Sequence, residues 1–183
     1  MDENILFQNV LDETSVKLKP KLDFSLMKLF EEKKQTIAVV ETITDGRLTT
    51  NFKKISGSLI FFKGSLVCHN VKNLIKLLGL LSATIKNKGW YSPEIATEMA
   101  KGAKKLFNTD IGVAVTGNLK YNDPILNKNN EALIYISMVT NKKTIIKHYK
   151  FFGTMSKIQN NIIEAVFIVL KYMLLNQNLK EEY

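Results

Sequence analysis

The sequence predicts an α/β domain whose helices are layered on a mixed β-sheet, and three observations carry that expectation. The runs "TIAVVE" (36–41) and "DIGVAV" (110–115) are short, apolar and rich in β-branched residues, as buried strands are. Segments with helical apolar spacing stand between and around them. Further on, "EALIYISMVT" and "KTIIKHYKFF" are two strand-like stretches joined by "NKK", the pattern of a hairpin.

The elements can be justified in chain order. Residues 1–20 show no sustained period and end at Pro20, so they read as an extension or a first short helix. Leu22, Leu26, Leu29 and Phe30 then fall at helical spacing, and the lysines that follow sit where a helix dipole favours cations. The strand ending at Glu41 leads to a turn at Asp45–Gly46 and a helix through Leu48, Phe52 and Ile55. "SGSLIFFKGSLVCHN" reads as a Gly/Ser turn and a long strand, with Gly64 marking a bulge or a close approach. "NLIKLLGLL" is a short helix closing at Gly79. The helix after Ser92 is the best signalled: Ser92 suits the N-cap, Pro93 the first helical position and Glu94 the first turn. Ile95, Ala96, Met99, Ala100 and Ala103 share its apolar face. The strand at 110–115 runs into "TGN" (116–118), the hairpin follows, and a long apolar helix from Ser156 to about Leu175 closes the chain. The organisation expected is an extension (1–20), one domain (21–178) and a polar tail (179–183).

Composition limits the function. With 183 residues, 45% hydrophobic and 23% charged, the chain has the make-up of a single globular domain with a real core. One cysteine and two histidines exclude a disulfide framework and a structural zinc site. Cys68 reads as a small reduced hydrophobe, which points to the cytoplasm. "MDENILFQNV" lacks the basic start of a signal peptide. The apolar stretch "IIEAVFIVLKYMLL" is 14 residues long and interrupted by Glu164 and Lys171, so it reads as a core helix and not as a membrane span. The formal charge of +9 invites a nucleic-acid reading. Against it, 25 of the 26 basic residues are dispersed lysines and Arg47 is the one arginine. Reading bases and phosphates leans on arginine forks, so the sequence argues against a dedicated nucleic-acid role.

Two strand ends carry hydroxyls and glycines: Glu41-Thr42-Ile43-Thr44-Asp45-Gly46, and Thr116-Gly117. In open α/β sheets ligands bind beyond the carboxyl ends of strands. The first turn opens a helix, whose N–H groups could hold an anion. The alternative is that Thr44 or Asp45 simply caps that helix.

Four stretches, in order and spacing, resemble the CinA C-terminal domain family. "TIAVVETITDGRLTTNFKKISGS" is similar to the family's apolar strand followed by Ala-Glu-Ser-Cys-Thr-Gly-Gly. "SGSLIFFKGSLVCHN" resembles its Pro-Gly-Ser turn and glycine-bearing strand. "KGWYSPEIATEMAKGAKKLFNTDIGVAVTG" resembles its Gly-x-Val-Ser-x-x-Val-Ala-x-x-Met-Ala-x-Gly-Ala helix and the strand ending in Thr-Gly. "FFGTMSKIQNNIIEAVFIVL" resembles its closing glycine turn and helix. The likeness covers residues 24 to 176.

The resemblance implies a three-layer α/β/α domain that self-associates, often as a dimer, and hydrolyses the amide of nicotinamide mononucleotide without metal or cofactor. It implies a hydroxyl nucleophile in the first turn and a pyridine mononucleotide between the two threonine-bearing strand ends. Carried over position by position, Glu41, Thr44 and Gly46 are kept, Thr42 stands for the nucleophilic serine, and Ile43 and Asp45 replace a cysteine and a glycine. Thr116 and Gly117 are kept, while the glycine-rich segment after them has become "NLKYNDPILNKNN". The strand's tyrosine falls on Cys68, a lysine on Asn73, and two arginines on Met155 and Gln159. The catalytic candidates are therefore Thr42, Glu41 and Thr44, and the substrate-binding candidates Gly46, Thr116, Gly117, Lys63 and Lys72. Threonine keeps the hydroxyl but adds a methyl that restricts χ1. Asp45 puts a Cβ and a negative charge where a glycine would let the backbone approach a phosphate. Two readings follow: an amidohydrolase of a pyridine ribonucleotide, or a catalytically silent relative that binds or assembles. A Cys68–His69 dyad is set aside, because neighbours on a strand point to opposite faces. His148 reads as a rim residue, and Trp90 and Tyr91 as packing residues.

Overall fold

The computed structural model describes residues 19–120 and 130–175, with side chains from Ser25 onward. In those residues the order is α1 (Lys19–Lys33), β1 (Ile37–Glu41), α2 (Arg47–Lys54), α3 (Ser58–Phe61), β2 (Phe62–Val67), α4 (Val71–Leu78), α5 (Ser82–Lys88), α6 (Pro93–Leu106), β3 (Ile111–Lys120), β4 (Asn130–Val139), β5 (Thr144–Gly153) and α7 (Met155–Leu175). The sheet runs β2-β1-β3-β4-β5. β1 is parallel to both neighbours, and β3, β4 and β5 are successively antiparallel. This is the mixed sheet the sequence predicts.

Alternation along the central strands explains the three layers. Ile37 and Val39 of β1 point to one face, where α1, α2, α3 and α7 supply Leu26, Phe30, Leu48, Phe52, Phe61 and the apolar side of α7. Val40 of β1 and Ala114 of β3 point to the other face, covered by Leu74 and Leu78 of α4 and Ile95, Met99, Ala100 and Ala103 of α6. Phe52 stacks on Phe62 at 5.2 Å and meets Phe167 edge-on at 4.9 Å, so one ring ties α2 to β2 and α7. α7 is 21 residues long, and by length and apolarity alone could cross a membrane. Most of it is buried against the sheet, as the core-helix reading expects.

Local chemistry accounts for most boundaries. Ser92 accepts from the Ile95 N–H with Pro93 in the first turn, as predicted, a cap worth about 1 kcal/mol. Gly79 closes α4 in the left-handed region at φ 70°. Gly64 lies just past a register shift, where Ile37 faces Phe62 and Ala38 faces Gly64, leaving Lys63 in the bulge. A Cβ on Gly64 would stand 2.3 Å from the Phe107 ring, so the expected bulge and the expected close approach coincide there.

Four expectations are corrected. The long strand through "SGSLIFFKGSLV" is shorter: Ser58–Phe61 is a helical turn opened by Gly57 at φ 71°, and pairing starts only at Phe62. α5 was not foreseen, because it buries none of its own side chains and takes its cap from afar. Glu98 of α6 accepts from Leu81 N–H at 2.8 Å and from Thr84 Oγ1 at 2.5 Å. Thr116–Gly117 is not a turn: β3 continues to Lys120 because β4 pairs it past the end of β1, with Thr116 opposite Tyr135 and Gly117 opposite Ile134. Neither Thr44 nor Asp45 caps α2, whose N-cap is Gly46 at φ 83°. The sequence 1–18, the segment 121–129 and the tail from 176 lie outside the described residues, so most of the predicted extension and all of the polar tail do too. α1 itself starts at Lys19, with Pro20 in its first turn.

Burial between β5 and α7 pushes the Tyr149 phenol up to about 12. An unfolded phenol ionises near 10. The folded state therefore holds this proton more tightly; the stabilisation is full below the unfolded value and is lost as pH rises through the folded one. In an alkaline absorbance titration one tyrosine should ionise near 12, with Tyr149→Phe removing that step.

Candidate functional site

The chain leaves β1 towards α2 on one face of the sheet and leaves β2 towards α4 on the other. Diverging exits of this kind open a crevice at the carboxyl ends of the strands. A cleft of about 310 Å³ lies there. Thr42, Ile43 and Asp45 line it from the β1–α2 turn, His69 from the end of β2, and Trp90 and Tyr91 from the approach to α6. Gly117, Asn118 and Leu119 line it from the continuation of β3, and Met155 from the start of α7.

Beneath the cleft sits Glu41, fully buried at the last position of β1. Its Oε1 accepts from the Thr49 N–H at 2.9 Å and from Thr49 Oγ1; its Oε2 accepts from the Leu48 N–H at 3.2 Å and from Thr44 Oγ1. The Arg47 N–H is bonded to the Thr44 carbonyl at 2.9 Å. The N-terminus of α2 does hold an anion, but that anion is the protein's own carboxylate. Glu41 and Thr44 thus meet each other and the helix, and neither lines the cleft.

Thr42 is nearly buried, and its Oγ1 donates to Thr116 Oγ1 at 3.5 Å, a long contact that leaves the hydroxyl loosely held. The two threonine-bearing segments are thereby brought together. Asp45 adopts φ 51°, a left-handed conformation that aspartate tolerates better than most residues, and Gly46 continues it at φ 83°. The Asp45 carboxylate is fixed from two sides. Gln159, buried in α7, donates from Nε2 to Asp45 Oδ2 at 2.9 Å and also to the Ile43 carbonyl at 3.0 Å. His69 Nε2 stands 3.4 Å from Asp45 Oδ1. The N–H groups of Ile43, Thr44, Asp45 and Gly46 bond to no other described residue. Trp90 and Tyr91 meet edge-on at 6.5 Å on the opposite wall.

The lysines fall elsewhere. Lys63 is exposed in the β2 bulge, four residues back from the strand end and so roughly 13 Å from the cleft. Lys72 is exposed on the first turn of α4 and does not line the cleft. Arg47 is closer: its guanidinium donates to Ser156 Oγ at 3.2 Å, beside Met155 on the rim. Residues that sequence reasoning passed over are Gln159 and His69. Gln159 carried a signal, a polar side chain on the buried stripe of an apolar helix. His69 was weighed only against its neighbour Cys68, whereas its partner is 24 positions away at Asp45. Among the described residues no three His, Cys, Asp or Glu side chains gather as a metal site.

The sequence pattern of the CinA C-terminal domain matches residues 20–174. The chain belongs to the CinA C-terminal domain family. A CinA-like protein of Endomicrobium trichonymphae is 32% identical over 150 residues, covering 81% of this chain and 34% of that protein. A putative competence-damage inducible protein of Thermoanaerobacter pseudethanolicus is 31% identical over 150 residues, covering 81% of this chain and 36% of its own. The chain therefore spans about a third of the length of these curated CinA-like relatives. The crystal structure of the competence damage-inducible protein A (ComA) from Klebsiella pneumoniae superposes with a TM-score of 0.76 at 15% identity, over 87% of this chain and 99% of that one. The competence or damage-inducible protein from Enterobacter asburiae gives 0.75 at 16%, over 85% and 98%. At those identities the two structures establish that the fold is the CinA α/β fold.

Within this CinA domain, Glu41 is tied to folding by direct bonds. Glu41→Gln turns one of the two acceptor oxygens into a donor, so one α2 N–H and one threonine hydroxyl lose their acceptor, and it should lower the unfolding free energy by about 2–3 kcal/mol, read as a reduced urea midpoint at unchanged slope.

Proposed function

We propose that the cleft is an amidohydrolase site for nicotinamide mononucleotide or a related pyridine ribonucleotide, with Thr42 as the nucleophile. The observation that carries this reading is the placement of Thr42, one residue past β1 on the cleft wall, with its hydroxyl held only by a long contact to Thr116. Acyl transfer needs such a hydroxyl together with donors for the developing oxyanion. The N–H groups of the 43–46 turn, which bond to no other described residue, are candidates for those donors.

A pyridine mononucleotide offers a primary amide, a cationic aromatic ring and a phosphate, and each has a counterpart here. Thr42 meets the amide. Trp90, Tyr91 and the Asp45 carboxylate suit a cationic ring, and among the described residues no lysine or arginine lines the cleft to oppose it. Arg47, at the rim beside Met155 and Ser156, suits the phosphate. The ring then lies inward and the phosphate outward. In this reading Thr116 steadies Thr42, Gly117 forms the wall facing it, and Glu41, Thr44 and Gly46 hold the turn. Lys63 and Lys72 take no part. Residence in the cytoplasm and self-association belong to the same proposal.

A catalytically silent binding protein is the second reading, and one observation favours it: the anion-holding end of α2 is filled by Glu41, so a phosphate finds no helix N-terminus there. Ammonia release from nicotinamide mononucleotide separates the two. Turnover should be present in the wild type and absent in Thr42→Ala. Arg47→Ala should raise KM about tenfold, the loss of one charge-assisted contact, for the mononucleotide and not for the riboside. Calorimetric binding of the nucleotide with no ammonia released would establish the silent reading instead.

A further inference from the structure

We propose that His69 is the general base that activates Thr42, with Asp45 as its positioning residue. The inference rests on the amidohydrolase reading of Thr42 and adds to it the group that takes the proton. Three side chains of complementary chemistry line one cleft: a hydroxyl, an imidazole and a carboxylate. The imidazole and carboxylate are already paired, with His69 Nε2 at 3.4 Å from Asp45 Oδ1. The carboxylate is itself fixed by the buried Gln159 amide at 2.9 Å. A nucleophile, a base and a group that orients the base are the three parts such chemistry needs.

The proposal also assigns the tautomer. A neutral imidazole facing Asp45 through Nε2 carries its proton there, so Nδ1 is left as the basic nitrogen. Thr42 Oγ1 attacks the amide carbon as its proton passes to Nδ1. The tetrahedral adduct then collapses, the C–N bond breaks, and the leaving nitrogen takes the proton back from His69 to depart as ammonia. Water attacks the resulting ester, gives its proton to His69, and Thr42 leaves with that proton restored. Amide and water are consumed, acid and ammonia are formed, and no other reactant is required. Around His69 the titratable groups lining the cleft are Asp45 from the β1–α2 turn and Tyr91 from the approach to α6. The lining residues from β3 and α7 carry no titratable side chain, and Lys72 follows on the first turn of α4.

The test uses a fluorophosphonate, which labels activated hydroxyls whatever the natural substrate, alongside ammonia release from nicotinamide mononucleotide. The wild type should label at Thr42, with a rate that falls in acid, as general-base catalysis requires. His69 is 62% exposed, so His69→Gln should fold normally, label about a hundredfold more slowly and lose that acid limb. Asp45→Asn should label at a reduced rate with an unchanged urea midpoint, a combination that a purely structural role would not give. Wild-type labelling rate and an unchanged pH profile in His69→Gln would overturn the proposal. His69-dependent labelling without ammonia release would uphold it and overturn only the choice of substrate. Neither labelling nor ammonia release in the wild type would overturn both.

Discussion

One carboxylate organises the working end of this domain. Glu41 closes β1 and, from full burial, bonds the first free N–H groups of α2 and the hydroxyls of Thr44 and Thr49. A buried charge is tolerable only with such complete hydrogen bonding, and the positive end of a helix is a favourable place for it. The consequence is geometric. With both the strand end and the helix start tied to one side chain, the five residues from Thr42 to Gly46 must close a fixed gap, and they do so through two consecutive left-handed residues. Closed in this way, the turn lines the cleft with Thr42 and Asp45.

The same bond decides how the cleft recognises anything. A helix N-terminus beyond a strand is ordinarily a ready anion site. Here it is occupied from within, which leaves side chains and the peptide groups of the turn to line the cleft. Those side chains form a chain of contacts of their own: Gln159 in α7, Asp45 in the turn and His69 after β2 connect three separate elements. Gln159 also holds the Ile43 carbonyl, so one buried amide braces both the turn's backbone and its carboxylate. Asp45, which in sequence looks like an obstacle to phosphate, is in space an anchored acceptor with two partners.

Legibility in the sequence followed the range of the forces involved. α6 was readable to the residue, because Ser92, Pro93 and Glu94 act within one turn. β1 and the hairpin were readable because burial pattern is a local property of alternating side chains. α5 was not, since its cap is Glu98 on another helix, and α3 was not, since "SLIF" has strand-like composition and is wound into a helical turn by Gly57. The site divided in the same way. Thr42 was legible as a hydroxyl at a strand end; Thr116 was legible as a hydroxyl, but it lies inside β3, which runs on to Lys120. That Glu41 would turn inward to α2, and that His69 would find Asp45, depended on contacts between elements, which no spacing along the chain encodes.

The side chain of Thr42 is best understood through its neighbour Thr116. A branched side chain has few rotamers, so once the methyl of Thr42 is packed the hydroxyl direction is largely chosen. In this fold that direction is towards Thr116 Oγ1, which β3 places there because β4 extends it beyond the end of β1. At 3.5 Å the contact orients the hydroxyl without binding its proton firmly. The hairpin, remote from the turn in sequence, therefore bears on the turn's geometry: it carries β3 far enough to present Thr116 to Thr42.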